Sequence, residues 1–197
     1  MNSAYSVALI FLLAWTSLVS GQEPPKPPDT LDLPPGVRWL RDLEYVPGGH
    51  ERQKLDLYLP EKTSDRLPLI VWVHGGGWKD GNEDWRRAVP PVPKGYAVAN
   101  VNYRLSQHAV FPAQLEDCKA AIRWLKANAK KFGLDPGHIS IWGPSAGGHL
   151  VALLGTTGGI KELEGSQMGR LMEWALSPVT IFYTSVTPVG VSSRPRP

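Results

Sequence analysis

Three short stretches of the chain are almost wholly apolar: Leu69-Ile70-Val71-Trp72-Val73, Ala97-Val98-Ala99-Asn100-Val101 and Ile139-Ser140-Ile141-Trp142. Short runs without polar alternation suit parallel strands covered on both faces. Between the second and third, Phe111, Leu115, Cys118, Ile122, Leu125, Ala129 and Phe132 recur at intervals of three and four. That spacing predicts an amphipathic helix from about Phe111 to Phe132, capped by Gly133 with Pro136 beyond it. Upstream the period changes to two: Leu55, Leu57 and Leu59 alternate with Lys54, Asp56 and Tyr58, the pattern of a strand with one buried face. Residues 42–47 are a candidate antiparallel neighbour, and both are expected at the sheet edge. Pro90, Pro91 and Pro93 confine any helix between the first two runs to a segment around Glu83 to Val89. A further helical stretch, Ala146 to Leu154, ends at Gly155. Strands alternating with helices predict an α/β fold, a mostly parallel sheet with flanking helices that binds ligands at the strands' carboxyl ends.

Chemistry gathers at two of those ends. Directly after the third run comes Gly143-Pro144-Ser145-Ala146-Gly147-Gly148. A G-x-S-x-G between a strand and a helix reads as a nucleophile elbow, a sharp turn that lifts the serine hydroxyl above the sheet edge. Directly after the first run comes His74-Gly75-Gly76-Gly77-Trp78, which the topology places on the same edge. Acyl transfer needs preorganised N–H donors about 3 Å from the developing oxyanion. Gly76 and Gly77 can present bare backbone amides there, and Ala146, next after the serine, supplies another. A phosphate loop would pair its glycines with Lys-Ser/Thr or a G-x-G-x-x-G frame, and neither is present. No cofactor is expected.

With these motifs the chain resembles the α/β-hydrolase superfamily, in its esterase/lipase branch with an H-G-G-G-W oxyanion loop. Tyr103-Arg104-Leu105, Phe111-Pro112-Ala113-Gln114, Glu116-Asp117-Cys118 and Asp135-Pro136 extend the likeness, which runs from about Val37 to Glu164. The resemblance is to secreted bacterial carboxylesterases of the acetylxylan and feruloyl esterase type, with kynurenine-formamidase-like enzymes as neighbours. It implies the N-terminal portion of an α/β-hydrolase fold, Ser145 as nucleophile, Gly76, Gly77 and Ala146 as the oxyanion hole, and His74 as structural support of the oxyanion loop. The substrate implied is a small-molecule or carbohydrate ester.

The same family places an acid and then a histidine after the serine. Here no histidine follows His149, and the acids beyond it are Glu162, Glu164 and Glu173. His149, one helical turn past Ser145, should point along its helix rather than at the hydroxyl. His50, His108 and His138 are expected at the surface, and no His-x-x-x-His or carboxylate cluster marks a metal site. Trp78 and Trp142 suit either the pocket wall or the core. From Gly165 the sequence becomes a Ser/Thr/Pro/Val-rich tail to Pro197, as in a truncated or frameshifted hydrolase. Such a chain would leave its last strand with an unpaired apolar edge, which residues 179–183 are placed to cover. The rival function is therefore a catalytically dead remnant or a binding module.

Composition narrows the remaining choices. Of 197 residues, 42% are hydrophobic and 20% charged, the balance of an ordinary globular protein with one domain. A formal charge of +3 without a basic cluster gives nucleic-acid binding no support. Val7 to Trp15 is an apolar run too short for a comfortable membrane span, followed by Ser17, Ser20 and Gly21. Residues 1–21 thus read as a signal peptide, with an uncleaved anchor as the alternative, and imply secretion or a periplasmic location. No stable membrane span is expected after cleavage. Residues 22–36 form a proline-rich linker, 37–164 the hydrolase portion and 165–197 the divergent tail. Cys118, the lone cysteine, sits on the apolar stripe of the predicted helix, where a core role is expected.

Overall fold

A computed structural model describes residues 33–62, 66–81, 88–165 and 180–184. The signal-peptide segment, most of the linker, the helix expected around residue 83 and most of the tail lie outside them. The described residues build a six-stranded sheet in the order β1-β2-β4-β3-β5-β6. Its strands are β1 (Val37–Glu44), β2 (Lys54–Pro60), β3 (Leu67–Val73), β4 (Ala97–Val101), β5 (Leu134–Pro144) and β6 (Thr180–Thr184). The three apolar runs are the central strands β3, β4 and β5, parallel as expected. β1 and β2 pair antiparallel, and β2 joins β4 antiparallel. The free edge of β5 is covered by β6 in parallel register, Ser140 opposite Thr180 through Pro144 opposite Thr184.

Period-two alternation on each central strand feeds two cores, one on each face of the sheet. One holds Leu69, Val71, Val73, Ala97, Ala99, Val101, Ile139 and Ile141 under helices α1 (Ala113–Ala127) and α3 (Ala146–Thr156). The other holds Tyr58, Ile70, Trp72, Val98, Ala88, Val89 and Val92. Because both faces are covered, β2 departs from its expected one-sided burial. Its alternate positions Asp56 and Tyr58 are also buried. Asp56 accepts a hydrogen bond from the Asp42 amide at 2.9 Å, and Tyr58 stacks on Trp39 with ring centroids 5.9 Å apart. β2 also lies inside the sheet rather than at its edge, since β1 flanks it.

The predicted long helix is interrupted. α1 ends at Asn128, whose side-chain amide donates to the Trp124 carbonyl at 2.9 Å. A single turn α2 (Ala129–Phe132) follows, closed by Gly133 in the left-handed region at φ +70°. Leu115, Cys118, Ile122, Leu125 and Ala129 are buried as the spacing requires. Burial pushes the Cys118 thiol well above the usual thiol range, so the residue is packing rather than nucleophile. α3 runs through Gly155 to Thr156, two residues beyond its expected end.

One buried polar knot fixes α1 against the ends of β2 and β4. The Asp117 carboxylate accepts from Arg104 Nη2 at 2.7 Å, from the Arg104 backbone amide at 2.9 Å and from Gln53 Nε2 at 2.7 Å. The guanidinium meets the carboxylate through Nε as well, at 2.9 Å. With its lone pairs filled this way a buried carboxylate is tolerated. The segment after β4 is thereby held against α1.

Candidate active site

His74 follows β3 and Ser145 follows β5, two adjacent parallel strands, so both motifs emerge side by side at one sheet edge. A Cβ placed on Gly75 would lie 2.9 Å from the Pro144 carbonyl and 3.5 Å from Ser145 Cβ. Glycine is what lets the two loops touch. Ser145 itself is exposed and has φ +51° and ψ −122°. A side-chain-bearing residue in that region stores on the order of 1–3 kcal/mol of strain, which the surrounding packing must hold in place. That packing comes from the flanking glycines. A Cβ on Gly143 would meet the Val73 carbonyl at 2.6 Å, and one on Gly147 would run into the same carbonyl.

The expected oxyanion donors are brought to this edge. Ala146 opens α3, so its N–H lacks an intrahelical acceptor. Gly76 and Gly77 adopt φ of +105° and +60°. The Gly76 carbonyl accepts from Lys79 and Asp80 amides at 3.1 and 3.0 Å, closing the loop on itself. Trp78 is also strained, at φ +58°, with its carbonyl held by the Ser106 amide at 2.7 Å.

His74 faces this loop. Its ring is buried and stacks on Tyr103 with centroids 4.3 Å apart and planes 10° from parallel. Nδ1–H donates to the Gly75 carbonyl at 2.7 Å, and the Tyr103 hydroxyl donates to the His74 carbonyl at 2.9 Å. Burial chiefly, with a smaller push from the Arg52 charge, lowers its pKa to about 4. A depressed pKa means that the folded state resists the proton that the unfolded chain accepts near 6.5. The stability linked to His74 is therefore complete above about pH 6.5 and drains away as pH falls toward about 4. The total is on the order of 3 kcal/mol. Urea titrations at pH 7 and pH 4.5 should show this loss in the native chain and a smaller one in His74→Gln; equal losses in the two chains would refute the assignment.

The other imidazoles are dispersed. His149 is exposed, with its ring edge-on to Trp78 at 5.3 Å. His138 pairs with Asp135 at 2.7 Å near the start of β5, the far end from Ser145. His50 and His108 pack against each other at 4.6 Å. Among the described residues no imidazole hydrogen-bonds Ser145. Glu164 is engaged by Lys119 at 2.8 Å and Arg123 at 3.0 Å on α1, and Glu173 lies outside the described residues.

His50, Glu51 and His108 place their ligand atoms within 4.8 Å of one another, a grouping that spacing along the chain did not signal. Its donor set is poor for a metal. Nδ1 of His50 accepts the Arg52 amide and Nδ1 of His108 the Leu105 amide, each at 3.2 Å. With Nδ1 so occupied, a neutral ring carries its proton on Nε2, whereas a metal needs a lone pair there.

A cleft of about 270 Å³ opens beside the elbow, lined by Trp78, Ser106, Phe111, Gln114, His149 and Leu150. Trp78 thus belongs to the pocket wall, while Trp142 packs against the second core. Phe111 was expected to begin the buried helical stripe; instead it is 57% exposed and lies on the cleft, because the helix starts only at Ala113. Pro112 was the signal available, since the residue before proline is disfavoured in helix. Ser106 and Gln114 carried no comparable signal.

Residues 55–181 match the BD-FAE family, well over half the chain. The chain belongs to the BD-FAE family. Carboxylesterase NlhH of Mycobacterium tuberculosis is 38% identical over 104 residues, covering 50% of this BD-FAE chain and 32% of that protein. Esterase LipC of the same organism is 34% identical over 137 residues, 63% of this chain and 33% of LipC. Esterase B from Lactobacillus rhamnosis superposes with a TM-score of 0.62 at 32% identity, over 67% of this chain and 43% of that structure. A truncated carbohydrate esterase from gut microbiota gives 0.61 at 35%, over 66% and 50%. This BD-FAE member is thus an α/β-hydrolase of the esterase/lipase branch that spans about a third of the length of the curated relatives it matches. Among its described residues no helix is long and apolar enough to cross a membrane.

Proposed function

We propose that the chain carries the nucleophile and oxyanion side of a serine carboxylester hydrolase acting on small or carbohydrate-linked esters. Ser145 attacks the ester carbonyl. The oxygen, as it gains charge, is received by the amides of Gly76, Gly77 and Ala146, while His74 holds the loop that presents two of them. Collapse of the tetrahedral species expels the alcohol and leaves an acyl-enzyme, which water cleaves. The observation that carries the reading is the strained, exposed Ser145 in contact distance of the glycine loop. The apolar cleft beside it is sized for a compact acyl or alcohol group. The apolar run at residues 7–15 supports an exported, secreted or periplasmic protein. An alcohol in place of water as acceptor would use the same residues.

A second reading, an ester- or carbohydrate-binding module that does not turn over, is favoured by the lack of a described imidazole on Ser145. Intact-mass measurement of the full chain after exposure to a fluorophosphonate probe separates the two. An activated serine gains the mass of one adduct, whereas a binding module stays unmodified.

A further inference from the structure

We propose that Arg52 is a positioning residue for the oxyanion loop, a strap that joins the far end of the loop to the residue gripping its near end. The inference rests on the reading that the loop's amides serve Ser145. Arg52 lies just before β2, distant in sequence from both motifs. Its Nη2 donates to the Gly81 carbonyl at 2.5 Å and its Nε to the Tyr103 carbonyl at 3.1 Å. Its backbone amide is spent on His50 Nδ1.

Each anchor has a role in the loop. Gly81 closes the segment that His74 opens, and a Cβ there would run into His74 Nδ1, so the two cannot move independently. Tyr103 grips His74 by ring stacking and by its hydroxyl. A planar guanidinium fork fixes two carbonyls in one plane, which a flexible ammonium cannot do. The middle of the loop is tied to the same segment after β4, Trp78 by the Ser106 amide and the Lys79 carbonyl by Gln107 Nε2 at 3.1 Å. Donors stabilise an oxyanion only when they are held in place before it forms. Loosening Gly81 should therefore act on the chemical step. Most of the cleft wall, Phe111, Gln114, His149 and Leu150, stands on other elements and should bind ester as before.

The test uses the full chain with Arg52→Met and Arg52→Lys, p-nitrophenyl acetate kinetics and amide hydrogen exchange of Gly75 to Gly81. The strap predicts that kcat falls about tenfold or more in Arg52→Met, part of the loss seen when an oxyanion donor is removed. KM should stay within about twofold and the loop amides should exchange faster, with Arg52→Lys intermediate. Unchanged kcat and exchange in a folded variant, or a loss expressed in KM alone, overturns the proposal. Should Arg52→Met fail to fold, Arg52→Lys decides by the same readouts. A native chain that neither turns over ester nor takes up a fluorophosphonate defeats the reading of Ser145, and loop exchange still decides the strap. Native turnover matched by both variants defeats the strap alone.

Discussion

Ser145→Ala is expected to lower hydrolysis of p-nitrophenyl acetate by the full chain to the residual rate that the rest of the site sustains, and to abolish fluorophosphonate labelling. The Ser145 hydroxyl stands at the strand-to-helix turn, on a backbone strained at φ +51°, and alanine keeps the turn while deleting the proposed attacking atom. The size of the fall also measures what activates the serine. In a complete triad, loss of the serine removes about six orders of magnitude in kcat. Binding and oxyanion stabilisation, which this substitution leaves in place, keep a residual of about three to four orders over water. With no described imidazole on Ser145, a fall well short of six orders is expected. Steady-state rates of native and variant chains, corrected for buffer, provide the check, and indistinguishable rates would take Ser145 out of the mechanism.

The parts legible in the sequence were those whose signal is local. An apolar run bounded by a motif placed β3 and β5 together with the loops that leave them, because a strand end and its turn are continuous in the chain. The stripe of α1 was legible for the same reason. What escaped was set by partners distant in sequence. Asp56 and Tyr58 look like the exposed face of a half-buried strand until β1 and the second core cover them. Arg52 gives no hint that it spans to Gly81 and Tyr103, which are 29 and 51 positions away. The convergence of Gln53 and Arg104 on Asp117 likewise exists only after β2, β4 and α1 have packed. Trp78 and Trp142 show the limit most plainly: equal in hydrophobicity, they part because one follows Gly75 to Gly77 and the other lies within β5.

Gly147→Ala should destabilise the fold by about 2 kcal/mol or more and abolish labelling of Ser145. Two effects oppose each other at this helical position. Alanine favours helix over glycine by about 1 kcal/mol. Against that, the new methyl would run into the Val73 carbonyl and stand 2.6 Å from the His74 carbonyl, both of them backbone atoms with no rotamer to yield. Overpacking of a tight interior typically costs about 1–3 kcal/mol, and contact with fixed carbonyls puts this site at or above the top of that range, so the clash wins. Relief requires α3 to move away from β3 or the start of the oxyanion loop to move away from α3. Either displacement separates the Ala146 amide from those of Gly76 and Gly77. Urea denaturation gives the stability term and probe labelling under native conditions gives the geometric one. A variant as stable as the native chain and labelled at the same rate would show that the elbow does not depend on this close approach.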